Sequence, residues 1–200
     1  MKGKKLADGR KVSTRFYENR MIFEQAGIMD SLKISHGGTG RGTSTLRDGL
    51  VDVAVALGIG PVKPTTWIPL PPVQQLLAMK KVYFVNYDKG AFEKAVKAGT
   101  VATSPVIVPA KVLGKNQNEP ILVKYDPLSM LADKSMDPDV VHELLRIFDE
   151  HMGELGEYSV TGKWLKRENL GTSGYQTPDK YHPGAIKYYK AKGIPVRINP

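Results

Sequence analysis

Apolar positions recur along this chain with two different periods, and the period switches from one stretch to the next. Lys4-Lys5-Leu6-Ala7 reads as a short strand. After Asp8-Gly9 the chain reaches Ser13 and Thr14, either of which can cap a helix running to Ala26. On that helix Phe16, Met21, Ile22 and Phe23 fall close to one face, Glu18, Asn19 and Arg20 fall largely off it, and Gly27 is a natural stop. Residues 32–35 read as a second strand entering a glycine-rich stretch, 36–42, with a short helix over 43–48 closing at Gly49. Residues 51–57 are almost continuously apolar and β-branched, the pattern of a strand buried on both faces of a parallel sheet. Gly58-Ile59-Gly60-Pro61 ends it, and a proline-dense stretch, 64–72, leads into a helix over 73–79. A strand over 81–86 and a helix over 89–98, stopped by Gly99, complete a β/α alternation that predicts right-handed βαβ units around a mainly parallel sheet.

Beyond Thr100 the rhythm changes. Residues 106–108 and 121–123 read as short strands flanking a polar turn at 114–119. Asp137 caps a helix with Pro138 at its first position, and Val141, Leu144, Leu145 and Phe148 recur at helical spacing on its expected buried side. Helices over 158–166 and 183–191 follow, separated by a loop rich in Gly, Thr, Ser, Asn and Gln. The change of rhythm places a soft boundary at 100–105 and divides the chain into residues 1–104 and 105–200.

Composition narrows the classes. Hydrophobic residues at 41% and charged residues at 24% are globular values, which argues against disorder and coiled coils. The absence of cysteine excludes disulfides, thiolate metal sites and cysteine nucleophiles together. No run approaches the roughly 18 apolar residues of a membrane span. Met1-Lys2-Gly3-Lys4-Lys5 is a charged start without the apolar core of an export signal behind it, so no signal peptide is expected in this chain. The net charge of +9 suits an anionic ligand. The basic residues are spread over the whole length with no RNA-binding aromatic motif or finger, so nucleic acid is not expected as a partner.

The candidate chemistry is sparse. Gly37-Gly38-Thr39-Gly40-Arg41-Gly42-Thr43-Ser44 lies where a phosphate loop would lie, but Thr43 stands where the Walker pattern needs lysine, and the two-by-two glycine spacing fails the dinucleotide pattern. What remains is a flexible turn whose amides can meet a small anion. His142-Glu143 begins like a zincin helix, yet Arg146 occupies the place of the second imidazole. Neither a nucleophile elbow nor a carboxylate pair stands out, so no catalytic set, metal or cofactor is expected. Ser13-Thr14-Arg15 is more specific. Two hydroxyls and a guanidinium at a helix start form a plausible carboxylate receptor; the plainer alternative is an ordinary cap followed by a solvated arginine.

His182-Pro183-Gly184-Ala185-Ile186-Lys187-Tyr188-Tyr189-Lys190, followed by Gly193, resembles the closing signature of the TAXI family of TRAP-transporter solute receptors. Leu46-Arg47-Asp48-Gly49-Leu50-Val51-Asp52 is similar to that family's Leu-x-Asp-Gly-x-Val-Asp segment. Lys2-Gly3-Lys4-Lys5 with the Ser/Thr/Arg helix start resembles the opening of its second lobe, and Asp137-Pro138-Asp139-Val140-Val141 its late helix. The resemblance implies an α/β fold of periplasmic-binding-protein type II, in which 1–104 is the second lobe and 105–200 supplies the hinge and the carboxyl-terminal helices that complete the first lobe. It implies an extracytoplasmic receptor, not an enzyme, that captures a small anionic solute such as an amino acid or dicarboxylate for a TRAP membrane permease. By that resemblance the amino-terminal part of the first lobe is expected to be missing, with self-association through the face it would cover. The expected ligand residues are Ser13, Thr14, Arg15, Gly58 and Gly60. The competing hypothesis is an α/β enzyme holding a phosphate-bearing substrate on the 37–42 loop, and a third is nucleic-acid binding by the basic surface.

Overall fold

The computed structural model describes residues 1–60, 65–99, 103–126, 129–159, 162–167, 170 and 180–196. The chain divides into two compact units, Met1–Tyr125 and Asp126–Pro200. The antiparallel strands that the sequence reading grouped with 105–200 thus lie in the first unit. The expected turn at Pro61, the start of the proline stretch at Pro64, the boundary at 100–102 and most of the loop before residue 180 lie outside the described residues.

The first unit is mixed α/β and is built on a parallel sheet of three strands. β1 (Lys5–Asp8) leads through α1 (Thr14–Gln25) and a short 3-10 turn (Met29–Ser31) to β2 (Lys33–His36), then through α2 (Thr39–Arg47) to β3 (Val53–Ala54). The strand order is β2-β1-β3, with β1 paired in parallel to both neighbours. A central parallel strand is buried on both faces. Leu6 and Ala7 are accordingly buried, and Ala7 lies next to α2, where a Cβ on Gly42 would stand 3.5 Å from the Ala7 Cβ.

After β3 a small antiparallel pair, β4 (Gly58–Ile59) and β5 (Ile68–Pro69), leads into α3 (Pro71–Met79) and α4 (Lys89–Lys97). Lys80 Nζ reaches back to the Leu46 and Arg47 carbonyls, a cation on the open carboxyl end of α2. Ile22 of α1 packs with Phe92 and Ala95 of α4, with Tyr87 against them. Each such large side chain taken from water is worth about 1.5–3 kcal/mol. The unit ends in a hairpin of β6 (Ser104–Val108) and β7 (Ile121–Tyr125). Its polar turn is organised by the buried Gln117, whose amide accepts from Leu113 N and donates to the carbonyls of Val108, Pro109 and Glu119.

The second unit is helical. α5 (Pro138–His151) runs through a 3-10 turn (Met152–Glu154) into α6 (Leu155–Tyr158), a second 3-10 turn (Gly162–Trp164) follows, and α7 (Pro183–Ala191) comes last. Val141 and Leu145 of α5 pack with Ala185, Tyr188 and Tyr189 of α7. The closing signature serves this contact. His182 Nδ1 caps Gly184 N, and a Cβ on Gly184 would stand 2.2 Å from the Pro138 carbonyl oxygen, so only glycine lets α7 sit on the start of α5.

Five expectations are corrected. Of the 51–57 run only Val53–Ala54 pairs as a strand, because β3 gains a neighbour on one side only and the chain then turns into β4. Residues 81–86 alternate in burial but pair with no strand; they meet β7 instead through Asn86 Oδ1, which accepts from Leu122 N, and through Tyr87 N. The glycine stretch is not a loop over its whole length, since α2 starts at Thr39 and takes in Gly40 and Gly42. The helix expected over 158–166 is instead α6, which ends at Tyr158, and a 3-10 turn at Gly162–Trp164. On α5 the inward residues are Val141, Leu145 and Asp149, and Leu144 is 54% exposed, because a carboxyl turns the buried face.

Candidate functional site

The three parallel strands deliver their connections to one edge of the sheet, the edge where open α/β folds bind ligands. β1 ends at Asp8 and is followed by the start of α1; β2 ends at His36 and is followed by the start of α2. Ser13 is the N-cap of α1, its Oγ accepting from Phe16 N. Gly9 makes this turn close enough to reach the helix: a Cβ there would lie 2.5 Å from Ser13 Oγ and 3.4 Å from Phe16 N. Gly38 is the N-cap of α2 and supplies no side-chain acceptor. Neither helix carries an acidic residue in its first turn. Unpaired amides and the positive ends of two macrodipoles are therefore left without a built-in anion.

Arg15 joins the two helix starts. Its Nη1 donates to Thr39 Oγ1 at 2.9 Å, and the other N–H groups of the half-buried guanidinium have no protein partner among the described residues. His36 closes one side, with Nδ1 3.1 Å from the Gly9 carbonyl and its ring edge-on to Phe16 at 4.6 Å. A planar fork of donors set beside two helix starts matches a carboxylate.

Beneath the helix start lies a buried polar network that sequence reading missed. Asp8 Oδ1 accepts from Gly9 N at 2.6 Å and from Asn19 Nδ2 at 2.9 Å, and Asn19 Oδ1 accepts from Tyr87 Oη at 2.9 Å. Burial pushes the Asp8 carboxyl above its ordinary value, and these hydrogen bonds with the charges of Arg15 and Lys124 oppose that only in part. Glu18, one position before Asn19, pairs with Lys124 of β7 at 2.5 Å, both side chains almost wholly enclosed. The expectation that Glu18 and Asn19 lie off the buried face is thereby corrected: polar partners cross from β1, β7 and the segment before α4 to meet them. A signal was present, since Asn19, Ile22 and Phe23 share the i, i+3, i+4 spacing of one helix face.

The remaining candidates fall as follows. Thr14 is the exposed first residue of α1. Gly58 lies in β4 directly under an indole, where a Cβ would overlap Trp67 Nε1 at 1.6 Å, and a Cβ on Gly60 would stand 2.6 Å from the Thr66 carbonyl oxygen. Both glycines are thus explained by the packing of the β4–β5 pair, whereas Ser13, Arg15 and Thr39 are brought together. A recess of 190 Å³ between α2 and α3, lined by Thr43, Arg47 and Gln75 among others, is smaller than ordinary ligand cavities of roughly 300–1,000 Å³. Among the described residues no helix is long and apolar enough to cross a membrane.

Comparison with known proteins adds one finding. The sequence model of the NMT1-like family matches residues 1–193. A search of curated proteins gives no match.

Proposed function

The chain belongs to the NMT1-like family, a periplasmic solute-binding family related to TRAP receptors, and from that premise we propose that it captures a small anionic solute at the carboxyl edge of the β2-β1-β3 sheet. The observation that carries the reading is the Arg15–Thr39 bridge, which sets a guanidinium with unused donors between the two helix starts. Ser13 and Thr14 shape the first start, and one carboxylate of an amino acid or dicarboxylate is the group that Arg15 grips. Gly58 and Gly60, which come after β3 in the chain, would add only backbone to this site, since their own contacts are with Trp67 and Thr66. The closing signature at 182–193, the 46–52 segment and the helix start that resemble TAXI receptors support delivery of the solute to a TRAP-type permease. Binding without turnover accords with the family's character.

A thermal-shift panel of amino acids, dicarboxylates and nucleotides tests this, because a ligand that prefers the native state raises the midpoint. Carboxylates are expected to raise it, and Arg15→Ala is expected to need about 10- to 150-fold more ligand for the same shift. A shift with nucleotides alone would overturn the reading in favour of a phosphate-binding enzyme.

A further inference from the structure

Among the described residues one buried side-chain oxygen has no hydrogen-bond partner, Oδ2 of Asp8, and it belongs to the residue at the foot of the Arg15 site. Asp8 is 4% exposed, so water does not solvate it freely. Its other oxygen is doubly served by Gly9 N and Asn19 Nδ2. Tyr87 holds the Asn19 amide in this orientation by donating its hydroxyl to Asn19 Oδ1. A carboxylate with one oxygen saturated and the other stranded in a buried place is a poor anion and a good proton acceptor.

The charges around Asp8 are few. Lys124 of β7 favours the charged form of Asp8, but Glu18 of α1 holds it at 2.5 Å, so its field is fixed by the fold. Arg15 at the start of α1 acts on Asp8 from the side of the site. His36 of β2 touches the Gly9 carbonyl, and Tyr87 is linked to Asp8 through Asn19. Arg15 is therefore the cation whose field on Asp8 can change, and an anion seated on Arg15 would neutralise it.

We propose that Asp8 is a proton-binding member of this site, so that an anion bound at Arg15 is taken up together with a proton on Asp8 Oδ2. This rests on the solute reading for the anion, while the proton site itself does not need it. Linkage is reciprocal: if the anion favours protonated Asp8, protonated Asp8 favours the anion by the same factor. Solute affinity falls as pH rises through the titration of Asp8, by up to about tenfold per pH unit. Asp8→Asn, a neutral isostere, keeps the low-pH affinity and loses the slope.

The test needs no solute at the outset. Aspartate residues are labelled at 13Cγ, the Asp8 resonance is assigned by its loss in Asp8→Asn, and its titration is followed in wild type, Arg15→Ala and Arg15→Lys. The expected result is a midpoint above that of an ordinary aspartate in wild type, a further rise in Arg15→Ala, and a near-wild-type value in Arg15→Lys. A midpoint at or below the ordinary value, or one that ignores Arg15→Ala, overturns the proposal. Calorimetry with L-glutamate and succinate, in buffers of different ionisation heat, separates the two readings. Binding without proton uptake sinks the coupling and leaves the solute reading standing. No binding by either, with Asp8 responding to Arg15 as expected, sinks the choice of solute and leaves the proton site standing.

Discussion

Asp8 and Asp149 are both buried carboxyls, one in each unit, and they are served very differently. Asp149 has both oxygens filled: Oδ1 accepts from Arg167 Nε at 2.9 Å, and Oδ2 from Arg167 Nη2 at 2.8 Å and Tyr188 Oη at 2.6 Å. The Arg167 guanidinium, opposed by burial and helped by the Tyr188 hydroxyl, holds Asp149 below the usual carboxylate range. Burial, aided by the hydrogen bond to Asp149, pushes the Tyr188 hydroxyl up to about 12. Asp8 has one oxygen filled, one stranded, and a value raised by burial. A completed carboxylate network fastens α5 to α7, whereas an incomplete one lies under the proposed solute site. A fully satisfied buried polar network specifies one structure, and a partly satisfied one carries a cost that calls for an explanation.

The largest expected effect tests whether the ground around Asp8 is otherwise rigid. Lys124→Met leaves Glu18 buried without its cation, and breaking a buried pair from one side costs about 3–5 kcal/mol; chemical denaturation measures it. A loss below 1 kcal/mol would mean that the pair is solvated in solution.

Asp149→Ala strands the Tyr188 hydroxyl, and a buried donor without its acceptor costs about 1–3 kcal/mol. The same experiment at lower pH carries a sign. A folded-state value below the unfolded one gives stability that is present above the ordinary carboxylate range and lost as pH falls through the folded value. The wild-type advantage over Asp149→Asn should therefore shrink on acidification.

Asp8→Asn should show the opposite slope, which is where the comparison is sharpest. The raised folded-state value means that folded protein holds a proton the unfolded chain has released, so wild-type stability declines as pH climbs from the ordinary aspartate value to the folded one. Across that window Asp8→Asn gains on wild type, and beyond it the gain levels off. Equal pH dependence for the two asparagine variants would erase the distinction drawn between the units. Smallest is Ser13→Ala, which removes the α1 cap and costs about 1 kcal/mol in thermal or chemical unfolding.

The legible parts of this molecule were those that depend on near neighbours in sequence. The cap at Ser13, the Asp137-Pro138 helix start and the parallel βαβ opening all follow from residues a few positions apart. What escaped needed distant partners. Glu18 is buried because Lys124 comes to it from 106 positions away, and nothing near Glu18 announces that. Residues 81–86 have a strand's alternation, but a strand also needs a neighbour to pair with. Leu144 lost its expected place because Asp149, with Arg167 and Tyr188, set the phase of α5. Of the site, Ser13 and Arg15 were readable as a helix start. Thr39 was hidden in a glycine run that reads as loop, and no near neighbour marks Asp8 as a buried carboxyl.

The central claim is that the starts of α1 and α2, joined by Arg15, receive the solute. Amide NMR mapping on uniformly labelled protein, titrated with L-glutamate and with succinate, tests it most directly. The account predicts saturable shifts concentrated at Gly9, Thr14, Arg15 and 38–41, with affinity reduced about 10- to 150-fold in Arg15→Ala, the loss expected when a hydrogen bond to a charged group is removed. Shifts confined to other regions, or full affinity in Arg15→Ala, would contradict it.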